Sequence, residues 1–166
     1  MRVAIFALLG LLALSCTNTP KEEAVPPSDP NLAPAVIKNG LPMFRIRDLK
    51  LGSGNEAKNG MRMQVHYTAW LFDPEASEGR GKEFETTLGK EPYEFQLGRG
   101  DLLPGWEQGF YGFREGGKRE LTIPPSMAYG DKGFPGKVPA KTALIYEIEL
   151  LAVKPPVIEK KARKSK

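Results

Sequence analysis

Cysteine and histidine, on which most metal centres and many nucleophilic enzymes depend, are nearly absent from this chain. Its 166 residues include one of each, Cys16 and His66. One cysteine cannot form an internal disulfide, and no group of metal-binding residues has the usual ligand spacing. His66 has no nucleophile elbow beside it, so we expect it to be structural or solvent-facing. The sequence therefore predicts neither a metal site nor a cofactor.

The chain also lacks the motifs of nucleotide and nucleic-acid binding. The glycines within residues 52–54 and 97–101 have neither the strand-to-helix context nor the lysine of a phosphate loop, and we interpret both segments as turns. The net charge of +4 comes largely from the tail EKKARKSK, residues 159–166. A basic run without interleaved aromatic residues is typical of a solvated tail, so we expect no nucleic-acid partner.

An apolar run at residues 3–14 follows a single basic residue, Arg2. As a helix this run would extend roughly 18 Å, well short of a ~30 Å hydrocarbon core, and the layout is that of a secretory signal. The segment LALSC, residues 12–16, resembles the lipobox of bacterial lipoproteins, in which the cysteine becomes the lipidated first residue. A plain signal peptide with a cysteine nearby by chance is the alternative. We expect lipid on Cys16 to anchor the chain to a bacterial membrane, on its extracytoplasmic side in the cell envelope.

Composition divides the chain into four parts. We expect a signal peptide at residues 1–15, a lipidated, proline-rich tether at 16–40, one domain at 41–154 and a basic tail at 155–166.

Within the predicted domain the dominant pattern is alternation of apolar and polar residues, which is typical of strands with one buried face. The alternating segments are FRIRDL (44–49), MRMQVHYTAWL (61–71), YEFQL (93–97), RELTI (119–123) and TALIYEIELL (142–151). Their short connections favour an antiparallel sheet.

The only helical candidate is LPGWEQGFYGF, residues 103–113, in which Trp106, Phe110 and Phe113 recur at helical spacing. Its three glycines each cost about 1 kcal/mol relative to alanine in a helix interior, so packing must hold this helix. Small residues also allow a close approach to a curved sheet. The predicted fold class is α+β, with a twisted antiparallel β-sheet of about five strands wrapped around one short α-helix.

The loop LTIPPSMAYGDKGFPGKVP, residues 121–139, combines turn residues with two aromatic residues, Tyr129 and Phe134. A phenol in such a loop needs a partner for its hydroxyl, and a pocket is where that partner or a ligand is found. Five segments of the chain are, in order, VHYTAWL, GKEF, LGRGDLLPGWEQGF, EGGKRELTIPPSMAYGDKG and VPAKTALIYEIELL. They resemble the motifs of the FKBP-type peptidyl-prolyl isomerases, in the same order and at nearly the same spacing. The resemblance spans residues 61–151. It implies a cofactor-free isomerase of X-Pro bonds whose partners are X-Pro-containing polypeptides and rapamycin-class macrolides, and we expect a monomer.

The resemblance also implies the site residues. The catalytic set is Tyr67, Phe84, Glu85, Trp106, Tyr129 and Tyr146, and the substrate-binding set is Tyr93, Asp101, Leu102, Leu103, Ala128, Phe134 and Val138. By this resemblance Trp106 forms the floor under a proline ring, while the Leu103 N–H and the Tyr129 hydroxyl donate to substrate carbonyls. Phe134 and Val138 belong to an overhanging loop.

The chain departs from the family pattern at several of these positions. Glu85 stands where aspartate is usual, Tyr146 replaces a frequent phenylalanine, and Phe134 occupies a site that is often histidine. The segment after Glu85 is one residue short. Two functions therefore remain open: an isomerase of exported or envelope proteins, and a catalytically weak, chaperone-like lipoprotein that binds proline-containing segments in the same pocket.

Overall fold

Six strands form one antiparallel sheet. The structure, a computed structural model, describes residues 40–156. The strands are β1 (Arg45–Lys50), β2 (Arg62–Phe72), β3 (Arg80–Thr86), β4 (Tyr93–Gln96), β5 (Lys118–Ile123) and β6 (Leu144–Lys154). Their order is β1-β5-β6-β2-β3, and β4 pairs with β2 beside β3. The predicted signal peptide, the tether up to residue 39 with Cys16, and the tail beyond residue 156 lie outside the described residues.

The five predicted strands are confirmed, and β3 is the strand that the pattern did not show. Its exposure does not alternate, because Lys82 and Glu83 are both exposed while its last three residues are half-buried. The pairing of β3 with β2 shifts register on either side of Trp70, which breaks the period of two. A strand with such irregular pairing leaves no alternating signal in the sequence.

The two long central strands supply much of the core. Met63, Val65 and Ala69 of β2 face the buried side of the sheet, as do alternate residues of β6 from Leu144 to Leu150. The register of this pair shifts between Gln64 and Val65. This bulge brings Val153 to the buried side although it lies three residues after Leu150.

One short helix, α1 (Pro104–Gly109), packs on that side of the sheet. It is shorter than the predicted residues 103–113, because Phe110 is its C-cap and Gly112 adopts a left-handed φ of 67°. Phe110 and Phe113 are nevertheless buried, as their spacing predicted. Two short 3₁₀ turns, Ser77–Gly79 and Pro125–Met127, complete the helical content of the described residues.

Two glycines set the distance between α1 and the sheet. A Cβ atom built on Gly105 would lie 2.4 Å from Ile123, and one built on Gly109 would lie 2.4 Å from Leu121. Both glycines are buried against β5, so the helix approaches closer than alanine would allow. Within residues 40–156, no helix has the length and apolar content needed to cross a membrane.

Candidate active site

A cavity of about 380 Å³ opens where the start of α1 meets the sheet and the β5–β6 loop. Its lining residues are Tyr67, Glu85, Tyr93, Asp101, Leu102, Leu103, Trp106, Tyr129 and Tyr146. All of them belong to the predicted site. Strands β2, β3, β4 and β6 contribute one side chain each, so the sheet and the helix together shape the cavity.

Trp106 forms an apolar surface of this cavity. Its indole is only 4% exposed and meets the rings of Tyr67 and Tyr146 edge to face, with centroids 5.2 Å and 5.3 Å apart. Pro104 starts the helix, and the Leu103 carbonyl accepts hydrogen bonds from the backbone N–H groups of Trp106 and Glu107, at 2.8 Å and 3.1 Å. A rigid indole held in this way offers a flat apolar contact suited to a pyrrolidine ring.

Tyr67 and Glu85 form a polar contact on one side of the cavity. Burial raises the pKa of the Tyr67 phenol, and the charge of Glu85 and its hydrogen bond with the phenol raise it further. Glu85 is held in turn by Lys137 of the β5–β6 loop, whose Nζ donates to Oε1 at 3.0 Å. The phenol of Tyr67 therefore stays neutral near neutral pH, and a lysine of the loop is tied to the cavity wall.

The hydroxyl of Tyr129 is held by Tyr146. Burial raises the pKa of both phenols. The hydrogen bond between the two hydroxyls raises the pKa of Tyr146 and lowers that of Tyr129. A phenol hydroxyl can donate as well as accept, so the Tyr129 hydroxyl is chemically able to bond to a carbonyl oxygen. Glu85 acts on Tyr129 through its charge.

Four predicted site residues lie beside the cavity rather than on its lining. Phe84 packs edge to face against Tyr146 with ring centroids 6.2 Å apart, and Ala128 packs against the core. Phe134 stacks on Tyr129 at 5.3 Å between centroids, while the buried Val138 pairs with Phe134 across the loop. The roles assigned to these residues stay predictions.

Lys137 is the residue near the site that sequence reasoning did not identify. A lysine in a loop of glycine and proline has no periodicity, and its contact with Glu85 joins residues 52 positions apart. Among the residues from 40 to 156, no three His, Cys, Asp or Glu side chains converge as ligands for a metal ion.

Comparison with known proteins agrees with this geometry. Residues 54–151 match the family of FKBP-type peptidyl-prolyl cis-trans isomerases. A FK506-binding protein of Neisseria meningitidis serogroup A is 44% identical over 109 residues, which are 65% of this chain and 94% of that protein. Peptidyl-prolyl cis-trans isomerase FKBP15-3 of Arabidopsis thaliana is 41% identical over 111 residues, 66% of this chain and 73% of that protein.

A solved structure is similar as well. The crystal structure of FkpA from Escherichia coli matches with a TM-score of 0.59 and 33% sequence identity, covering 75% of this chain. The match covers 53% of the FkpA chain, so this chain spans about half of that protein. An antiparallel sheet around one short helix, with an aromatic cavity between them, is the arrangement of an FKBP-like isomerase. The chain belongs to the FKBP-type peptidyl-prolyl cis-trans isomerases.

Proposed function

We propose that this FKBP-type isomerase catalyses rotation about X-Pro bonds of exported or envelope proteins and thereby assists their folding. The observation that carries the proposal is the cavity itself, which is lined by both Trp106 and Tyr129. An apolar surface for a proline ring and a donor for a carbonyl are the two elements that this reaction needs.

The reaction breaks no covalent bond. Rotation about the prolyl amide is slow because conjugation gives the C–N bond partial double-bond character, with a barrier of about 18 to 20 kcal/mol. The twisted amide has lost this conjugation and is less dipolar than the planar amide. An apolar cavity therefore disfavours the planar form relative to the twisted one.

The residues of this chain act by position. Trp106 supports the proline ring, and the hydroxyl of Tyr129 orients a substrate carbonyl beside it. Tyr67 and Tyr146 keep raised pKa values, so these two phenols stay protonated near neutral pH. Lowering the barrier by about 5 kcal/mol gives an acceleration of several thousandfold.

The test is an isomerisation assay on a short X-Pro peptide, which has no refolding step to confuse the result. The two tryptophans provide a matched pair: Trp106 in the cavity, and Trp70, which lies under the Arg80 guanidinium at 4.8 Å. We expect Trp106→Leu to lower kcat/KM by roughly tenfold or more, since about 1.4 kcal/mol of lost transition-state contact is sufficient for that. Trp70→Leu should leave kcat/KM nearly unchanged.

The wild-type rate decides between the two functions that the sequence left open. If the protein isomerised the peptide no faster than the uncatalysed reaction but still bound proline peptides, the chaperone-like binding function would be correct and the enzyme function wrong.

Rapamycin-class macrolides should occupy the same cavity and quench or shift Trp106 fluorescence, as the names of the FK506-binding relatives suggest. A titration without spectral change or competition would contradict this.

We place the protein at a membrane through lipid on Cys16, because the segment LALSC resembles a lipobox. Stable anchoring needs more than one acyl chain, as bacterial lipoproteins have. Cys16→Ser should move the folded domain to the soluble fraction or leave an unprocessed precursor, with isomerase activity retained. Wild-type protein found soluble, with no acyl mass on Cys16, would contradict the anchor.

A further inference from the structure

A second concave surface lies on the outer side of the β5–β6 loop. This groove has a volume of about 510 Å³ and is formed by β2, β3 and the loop, with Lys82, Lys132, Phe134 and Lys137 among its lining residues. It shares a wall with the isomerase cavity, because Phe134 stacks on Tyr129 and Lys137 pairs with Glu85. A polypeptide leaving the cavity past Tyr129 would therefore reach this groove, which we call the lysine groove.

The lysine groove carries uncompensated positive charge. Its lining contains three lysines and no aspartate or glutamate. Within residues 40–156, Lys82 and Lys132 form no ion pair, whereas Lys137 has one partner, Glu85. The isomerase cavity differs in sign, because its lining includes the carboxylates of Glu85 and Asp101 and no lysine or arginine.

The apolar part of the groove is already formed. Phe134 and Val138 exchange two backbone hydrogen bonds of 2.8 Å, which close a tight turn. Gly133 allows this closure, since it has a φ of 65° and a Cβ there would lie 2.4 Å from the Val138 carbonyl oxygen. Val138 is 4% exposed, yet the neighbouring Phe134 ring is 42% exposed. The turn thus leaves part of an aromatic side chain exposed beside a lysine, a surface suited to the apolar and charged parts of a polypeptide.

We propose that the lysine groove binds acidic residues that flank the X-Pro bond, so that the enzyme prefers acidic polypeptide segments. The proposal rests on the isomerase function proposed above and names the substrate class of that site. A polypeptide fits better than a small anion because the groove adds apolar contacts from Phe134 and Pro135 to its positive charge. The groove is also adjacent to the isomerase cavity, because Phe134 stacks on Tyr129.

The test compares peptides that share one X-Pro core and differ only in a flank of glutamate, serine or lysine residues, placed before or after the core. With the wild-type protein, glutamate residues on one side of the X-Pro core should give a kcat/KM roughly three- to tenfold higher than serine residues in the same place, at low ionic strength. Added salt should remove most of the gain, because exposed ion pairs are weak and screened.

Charge reversal provides the decisive comparison. Lys82→Glu with Lys132→Glu should invert the preference, so that the lysine flank becomes the better substrate while the serine peptide is turned over as before. The control is Lys50→Glu with Lys58→Glu, which changes the net charge equally at exposed positions outside the groove lining. This control should keep the acidic preference, because only the groove lysines meet the flank.

Failure of this proposal is distinguishable from failure of the isomerase function. Equal kcat/KM for all flanks, with the serine peptide still isomerised, would overturn the groove and leave the enzyme. If no peptide is isomerised, the affinities of the glutamate and serine peptides, read from Trp106 fluorescence, test the groove alone. Equal affinities would overturn the assignment of an acidic polypeptide to the groove. The assignment would also be overturned if Lys82→Glu with Lys132→Glu changed binding to anionic vesicles but not to the peptides.

Discussion

The hydroxyl group of Tyr146 affects the hydrogen bonding of Tyr129 in the cavity. The ring of Tyr146 is buried against Trp106, and its hydroxyl interacts with that of Tyr129. Tyr129 comes from a loop, and loops are more mobile than the strands that they connect. A partner fixed on β6 therefore limits the positions of the loop hydroxyl. We infer that Tyr146 has a positioning role in addition to its packing against Trp106.

This role can be separated from packing. Tyr146→Phe keeps the ring and removes one hydrogen bond, so we expect a loss of roughly 0.5 to 1.5 kcal/mol in transition-state stabilisation, up to about tenfold in kcat/KM. Tyr129→Phe should cause a similar loss. Because the two hydroxyls act as one unit, the double variant should lose less than the sum of the two. Strictly additive losses in the peptide assay would mean that Tyr146 does not hold Tyr129.

At the scale of elements, α1 has a weak intrinsic preference for helix and strong support from β5. Two of its six residues are glycine, and both face β5 side chains. Each glycine costs about 1 kcal/mol of helix propensity, but it allows the backbone to approach Ile123 and Leu121. This close approach carries Trp106 to the base of the cavity. The same two glycines that weaken the helix therefore position the site.

A propensity argument and a packing argument predict opposite results for Gly109→Ala. Propensity alone predicts a gain of about 1 kcal/mol. We expect instead a loss of roughly 1 to 3 kcal/mol in the free energy of unfolding, because the new methyl group would overlap Leu121. Gln108→Ala is the control, since Gln108 is exposed on the same helix. Urea unfolding measures both variants, and a stabilised Gly109→Ala would show that the sheet can move away.

At the scale of the whole molecule, the side of the sheet opposite the core is held by a charged network. Glu120 accepts from Arg80 at 2.6 Å and from Arg47 at 3.0 Å, and Glu147 pairs with Arg80 at 2.9 Å and with Lys118 at 2.6 Å. Arg80 belongs to β3, whose pairing with β2 is irregular. The network therefore ties this edge strand to the central strands β5 and β6.

Acid should weaken this network. Burial by itself raises the pKa of Glu147, but the hydrogen bonds and charges of Lys118 and Arg80 outweigh burial and hold the pKa below its usual value of 4.5. A carboxyl with a lowered pKa stabilises the fold above the unfolded-state pKa, and this stabilisation is lost as the pH falls through the folded-state value. Glu147→Gln should thus lower the free energy of unfolding near neutral pH, by about 1 kcal/mol or less.

The same variant should differ little from wild type well below pH 4.5, where Glu147 is protonated in both folded and unfolded states. Urea unfolding at several pH values measures the difference. Glu149→Gln is the control, since it removes a carboxylate two residues further along β6 that takes no part in the ion pairs described above. If Glu147→Gln lowered the free energy of unfolding by the same amount at every pH down to strong acid, the stabilising effect of Glu147 would not be electrostatic.

Local patterns in the sequence determined much of this molecule. Alternation predicted β1, β2, β4, β5 and β6, because a strand with one buried face repeats every two residues. The order and spacing of the motifs indicated the family, and the residues that line the cavity are among those that the family resemblance implied. The sequence also placed Phe110 and Phe113 in the core although the helix ends before them.

Only the tertiary structure decided how these parts meet. Strand β3 depends on irregular pairing with β2, and the end of α1 depends on the turn at Gly112. The contacts of Tyr146 with Tyr129 and of Lys137 with Glu85 join residues from different elements, as do the walls of the lysine groove. Periodicity reports which face of one element is buried. It contains no information about which side chains from distant elements come within hydrogen-bonding distance, because sheet register, bulges and loop closure set those distances.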